Sequence, residues 1–123
     1  MAKALVVDDS KAIRMIIGRT LKDLGYEVCE AADGRQALDV METEKTSVNL
    51  VIADWNMPEV DGMELLTRLR GKPELSSLVI VMVTTETGLT QMATALEAGA
   101  NEYVMKPFTR EILVEKLRMA GLS

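Results

Sequence analysis

An α/β fold, a doubly wound parallel sheet of five strands with five helices, is predicted by three observations. Short continuous apolar runs recur along the chain, segments of helical period lie between them, and the runs end at acids, threonines or a lysine. Runs of that kind fit strands buried on both faces. Strands that alternate with amphipathic helices imply right-handed crossovers, with helices on both sides of one parallel sheet.

Each element follows in order. Ala4–Val7 is the first strand and stops at Asp8-Asp9; Ile13, Ile16, Ile17, Leu21 and Leu24 then recur at helical spacing before Gly25. Tyr26–Ala31 reads as the second strand, and Asp33 with Gln36 forms a capping-box pattern opening a helix over Ala37, Leu38 and Met41. Leu50–Ala53 is the third strand, stopped by Asp54. Asp61 with Glu64 repeats the capping pattern ahead of Leu65, Leu66 and Leu69, with Gly71 closing that helix. Leu78–Val83 is the fourth strand, ending at Thr84-Thr85. Leu89, Met92, Ala93 and Leu96 make the next helical stripe, closed by Gly99. Glu102–Met105 is the fifth strand, and Thr109 caps a last helix carrying Ile112, Leu113 and Leu117.

Composition narrows the chemistry. With 123 residues the chain fits one domain, and no linker or repeat divides it. The absence of histidine removes His-based triads and His–metal sites, and the single Cys29 removes intrachain disulfides and cysteine zinc clusters. Lys+Arg of 14 against Asp+Glu of 19 gives −5, the wrong sign for binding nucleic acid through phosphates. No apolar run is long enough to span a membrane, and two acids follow closely on the first apolar run, unlike a signal peptide. A cytoplasmic, monomeric protein without membrane or nucleic-acid partners is the expectation.

In an open α/β sheet, ligands bind at the carboxyl ends of the strands. Those ends carry Asp8, Asp9, Asp54, Thr84, Thr85 and Lys106. Carboxylates about 4 Å apart repel by roughly 4 kcal/mol per pair at an effective dielectric of 20, so three together need a cation, a shared proton or a strong donor. An all-oxygen set without histidine or thiolate suits Mg²⁺ before Ca²⁺ or a transition metal. Beside such a cation, a carboxylate can act as nucleophile toward phosphorus, with a lysine and a hydroxyl receiving the added oxygens. Each residue also fits a plainer role. Asp8, Asp9 and Ser10 suit a helix cap, Asp54 a turn, Thr84-Thr85 a cap of the fourth helix, and Lys106 a solvated surface charge.

Taken in order, Val-Val-Asp-Asp (6–9), Asp-Trp-Asn-Met-Pro (54–58), Asp-Gly (61–62), Met-Val-Thr (82–84), Ala-Gly-Ala (98–100) and Lys-Pro-Phe-Thr (106–109) resemble the response-regulator receiver family, in particular its single-domain chemotaxis members. The resemblance spans the chain and implies a flavodoxin-like strand order of 2-1-3-4-5. It implies a single receiver domain over residues 1–123, without an output domain. Asp54 is then the phosphoacceptor, and Asp8, Asp9, Asp54 and the Asn56 backbone carbonyl are Mg²⁺ ligands. Lys106 pairs with the phosphoryl group, and Thr84 is the switch hydroxyl whose movement Tyr103 follows. Asn56 and Glu86 tune access of water, and the Lys106–Pro107 bond is cis.

The implied partners are a histidine kinase as phosphodonor, an output protein such as a flagellar motor switch component, and a phosphatase. The output surface is the face of the fourth helix, fifth strand and fifth helix, with Met92 and Met105 as candidate contacts. The chain has no histidine, GxxxxGK[ST] or GxGxxG, so its phosphoryl group has to come from another molecule. It is a switch that assists its own phosphorylation and dephosphorylation rather than an enzyme. A receiver in a different phosphorelay is the nearest alternative. A Mg²⁺-dependent aspartyl phosphohydrolase would want an acid where Asn56 stands, and an FMN site would meet repulsion from Asp8-Asp9. Trp55, beside Asp54, is placed to report Mg²⁺ optically.

Overall fold

The structure is a computed structural model that describes residues 2–44, 47–57, 59–85 and 89–122. Its elements are β1 (Lys3–Val7), α1 (Lys11–Asp23), β2 (Glu27–Ala31), α2 (Gly34–Glu44), β3 (Val48–Ala53) and α3 (Gly62–Arg70), then a 3₁₀ turn at Pro73–Leu75, β4 (Val79–Thr84), α4 (Leu89–Glu97), β5 (Glu102–Met105) and α5 (Arg110–Met119). The strands form one parallel sheet in the order β2-β1-β3-β4-β5. The flavodoxin-like order expected from the motifs is therefore the order observed. It reverses direction between β1 and β3, which opens a crevice beyond the carboxyl ends of those two strands.

Alternation along the strands builds two cores. Leu5, Val7, Val51, Ala53, Ile80 and Met82 face a layer formed with Met41 of α2, Leu65, Leu66 and Leu69 of α3, and Ala95 of α4. Ala4, Val6, Leu50, Ile52, Val81 and Val83 face Ile17 and Leu21 of α1 and Leu113 and Leu117 of α5. Covering both faces is what lets the central strands read as unbroken apolar runs.

The helix starts follow their sequence signals. The Ser10, Asp61 and Thr109 side chains accept the backbone N–H groups of Ile13, Glu64 and Ile112, and each cap is worth about 1 kcal/mol. Asp33 accepts the Gln36 N–H at 2.8 Å, while the Gln36 amide oxygen reaches back to the Ala32 N–H at 2.9 Å. The capping box therefore closes one residue earlier than its usual form. Gly25 and Gly99 adopt left-handed backbone conformations after their helices, whereas Gly71 stays right-handed.

Three helical stripes differ from the periodicity. In α1, Ile16 is exposed because the inward face is centred on Ile17, Thr20 and Leu21, and Leu24 lies past the last helical residue. Among the described side chains of α4 the buried one is Ala95, and Ala93 and Leu96 face outward. Met92 of the expected stripe does pack against the core, so apolar size misplaced only part of that stripe. Ile112 of α5 is exposed as well. Cys29 is half-buried on edge strand β2. Among the described residues, no helix is long and apolar enough to cross a membrane.

Gly62, the first residue of α3, lies against the loop that carries Asp54. A Cβ there would stand 2.3 Å from the Asp54 carbonyl oxygen and 2.7 Å from the Trp55 Cα, both backbone atoms. The Gly62 N–H also donates to the Trp55 carbonyl at 2.9 Å. Gly62→Ala is therefore expected to lower stability by about 2–3 kcal/mol, as overpacking against backbone does. Urea melts check this; a loss below roughly 0.5 kcal/mol would show that the loop yields freely.

Candidate functional site

The crevice at the switch point collects residues far apart in sequence. Asp8 follows β1, and its N–H donates to the Ala31 carbonyl of β2 at 3.2 Å. Asp54 follows β3, and its N–H donates to the Val7 carbonyl at 2.9 Å. Both are almost wholly buried, at 1% and 6% exposure. Asp9, next to Asp8, is exposed at the mouth. One carboxylate oxygen from each of Asp8, Asp9 and Asp54 lies within 4.8 Å of the others.

Lys106 reaches in from the end of β5. Its Nζ lies 2.7 Å from Asp8 Oδ2 and 3.5 Å from Asp54 Oδ2, so it is not the solvated surface charge of the plainer reading. The Lys106 N–H donates to the Thr84 carbonyl at 2.9 Å, which fixes lysine and threonine in register. Thr84 is the fully buried last residue of β4. Lys106–Pro107 is a cis peptide bond. Ser10 does cap α1, and its own N–H donates to Asp8 Oδ1 at 2.9 Å.

Charge decides the chemistry of this crevice. Three carboxylates face one ammonium, a formal excess of two negative charges. Burial pushes the Asp54 carboxyl above the ordinary carboxylate value, and the Asp8 charge acts in the same direction. Lys106 and the Asn56 N–H, which donates to Asp54 Oδ1 at 3.4 Å, pull the other way without cancelling the rise. An all-oxygen set with two charges in excess fits a hard divalent cation. Exposed Asn56 stands two residues beyond Asp54 at the same mouth.

Tyr103 is buried in the core on β5, and Trp55 is half-buried against it. Their rings meet edge to face, with centroids 6.5 Å apart and planes at 72°. Trp55 therefore links the loop that carries Asp54 to the buried aromatic residue of β5. Glu86 lies outside the described residues, as does the side chain of Leu89. Sequence reading missed Arg14, whose guanidinium lies between Asp8 and β2, and had Gly62 only as part of the Asp-Gly motif, without its contact to the Asp54 carbonyl. An arginine at helix position i+4 from a cap carries no mark of such contacts in the sequence.

A doubly wound sheet with buried acids, a threonine and a lysine at its switch point defines the receiver unit of two-component signal transduction. The response regulator receiver domain family matches residues 4–118, and the chain belongs to that family. Its similarity runs to chemotaxis proteins. It is 47% identical over 116 residues to a chemotaxis protein CheY homolog of Campylobacter jejuni, covering 94% of this chain and 88% of the relative. It is 44% identical over 118 residues to chemotaxis protein CheY1 of Helicobacter pylori, covering 95% and 94%. The solved structure of Vibrio cholerae chemotaxis protein CheY4 superposes with a TM-score of 0.88 at 39% identity, over 98% of each chain. Proteins of this family are signalling switches rather than conventional enzymes, and they typically bind Mg²⁺.

Proposed function

We propose that this receiver accepts a phosphoryl group on Asp54 from a partner histidine kinase and signals in chemotaxis by changing its protein-binding surface. The observation that carries the reading is the buried Asp54 carboxylate, with the Lys106 ammonium 3.5 Å away and the Asp8 and Asp9 carboxylates beside it. Asp54 attacks phosphorus, the bond from phosphorus to the donor imidazole nitrogen breaks, and its electron pair returns to that nitrogen. The Asp8, Asp9 and Asp54 carboxylates and the Asn56 carbonyl would hold Mg²⁺, which when bound supplies charge neutralisation at the incoming phosphoryl oxygens. Lys106 gives up part of its pairing with Asp8 to meet the new charge, and the Thr84 hydroxyl closes onto the same group.

Movement of Thr84 vacates space for Tyr103, which carries the change to α4, β5 and α5. That face exposes Leu96, Met105 and Ile112, one apolar residue from each element, at 42–44% exposure. Met105 suits a partner contact, whereas Met92 is half-buried and packs against the core. A motor switch protein is the output partner this reading favours, with a phosphatase acting on the phosphorylated form. Asn56 and Glu86 set the access of water to the aspartyl phosphate. The whole cycle belongs in the cytoplasm, where kinase and motor components meet it.

Incubation with a small acyl-phosphate donor and Mg²⁺ tests the reading. Intact-mass measurement is expected to show one added phosphoryl group, which is not incorporated when a chelator is present from the start. Equal incorporation without divalent cation would overturn it. Retention of the phosphorylated form by a motor switch protein, rather than by a relay phosphotransferase, separates chemotaxis from another phosphorelay.

A further inference from the structure

Asp8 is held at every polar atom. Its N–H goes to Ala31, Oδ1 accepts from the Ser10 N–H, and Oδ2 accepts from Lys106. Its remaining acceptor, the backbone carbonyl, takes a charged donor: Arg14 Nη1 lies 2.6 Å away. The same guanidinium uses Nε to hold the Glu30 carboxylate on β2 at 2.9 Å. Arg14 lies on the first turns of α1, and its N–H donates to the Ser10 carbonyl. The Arg14 side chain is only 15% exposed, and its bond to the Asp8 carbonyl is partly buried, whereas the Glu30 carboxylate it also holds lies at the surface.

The geometry points to Arg14 as a positioning residue for the acid cluster: it holds the Asp8 carbonyl against β2 and thereby orients Asp9 at the mouth. The reason is the rigidity of the peptide unit. The Asp8 carbonyl and the Asp9 nitrogen lie in one plane, so a partner that fixes the oxygen fixes the bond from which Asp9 departs. Asp8 needs no such help for its side chain, which Ser10 and Lys106 already hold. Asp9 is exposed, and its direction depends on the backbone that delivers it. A planar guanidinium can bridge a carbonyl and a carboxylate at once, which a lysine ammonium does less well. Glu30 completes the clamp by pinning the far side of that guanidinium to a strand. The inference rests on reading Asp8, Asp9 and Asp54 as the Mg²⁺ site.

The test is a Mg²⁺ titration of the intact chain followed by Trp55 fluorescence. Arg14→Ala is expected to raise the Mg²⁺ Kd about tenfold or more, the effect typical of losing a residue that orients a ligand. Arg14→Lys should recover part of this, since it keeps one donor, with a Kd raised about threefold. At saturating Mg²⁺ the phosphorylation rate of Arg14→Ala should return close to the wild-type value. Arg70→Ala is the control for stability loss alone. Arg70 bonds Gly99, Leu75 and Asn101, away from the acid cluster, so its loss should leave the Kd unchanged. An Arg14→Ala Kd within twofold of wild type overturns the inference, as does an equal rise in Arg70→Ala. Should Arg14→Ala fold too poorly to titrate, Arg14→Lys decides, and a wild-type Kd in that variant overturns the inference. A wild-type chain with no saturable Mg²⁺ response removes the metal-site reading and this inference with it.

Discussion

Asp54→Asn is expected to abolish phosphoryl incorporation from an acyl-phosphate donor and, without metal, to make the chain more stable at neutral pH. The first effect follows from chemistry: an amide oxygen in place of the carboxylate removes the nucleophile, and a loss of at least 100-fold is expected by intact mass. Incorporation at another carboxylate with similar yield would overturn the assignment of Asp54. The second effect follows from burial. Asp54 is held above the ordinary carboxylate value chiefly by desolvation, so the folded chain favours its neutral form. Between the unfolded value, about 3.9, and the raised folded one, the folded state binds more protons than the unfolded state. Stability on this account is full below about pH 3.9 and is lost as pH rises through the folded value. Asparagine carries no such cost. The variant should match wild type in acid and melt at a higher temperature than wild type at pH 7, with the gap opening as pH rises. Excess Mg²⁺ should reverse that order. At 100 times Kd, a ligand of the folded state alone stabilises by about 2.7 kcal/mol, and the variant has lost one of the carboxylates that would bind it.

The strands and the site were legible in the sequence for the same physical reason. Strands buried on both faces leave unbroken apolar runs, and a run that stops at an acid marks both the strand end and the crevice. β5 has the predicted bounds, Glu102–Met105. Helix faces were harder to read where the inward residue is small. Among the described side chains of α4, Ala95 is buried and larger Leu96 lies outside, so residue size does not announce the inward face. The contacts of Arg14 and Gly62 were not legible either. Arg14 depends on the register that places Glu30 of β2 opposite Val6 of β1, next to the crevice. The need for glycine at 62 depends on a loop folding back until the Asp54 carbonyl touches α3. Both are long-range consequences of the fold, with no local pattern to announce them.

Lys106→Met is the variant expected to cost the most stability. Methionine keeps an unbranched apolar stem, one atom shorter, and removes the charge and the donors. It leaves the carboxylates of Asp8 and Asp54, both nearly inaccessible to water, facing each other without the ammonium that lies 2.7 and 3.5 Å from them. Removing one partner of a buried ion pair costs about 3–5 kcal/mol, far more than a surface pair is worth. For a domain with a total stability of about 5–15 kcal/mol, that is a lowering of roughly 15 °C in melting temperature. The source of the cost can be separated from lost packing by two rescues. Acidification toward pH 4 protonates carboxylates and should shrink the gap to wild type. Mg²⁺ should shrink it at neutral pH, because a cation bound by the acids takes over the neutralisation that Lys106 supplies. A gap that neither treatment narrows would place the role of Lys106 in packing instead. Lys106→Arg, which keeps the charge on a bulkier planar group, should fall between the two. Phosphoryl uptake should fall in Lys106→Met even at saturating Mg²⁺, because the ammonium that neutralises the acids in the resting chain is the donor the phosphoryl oxygens then require.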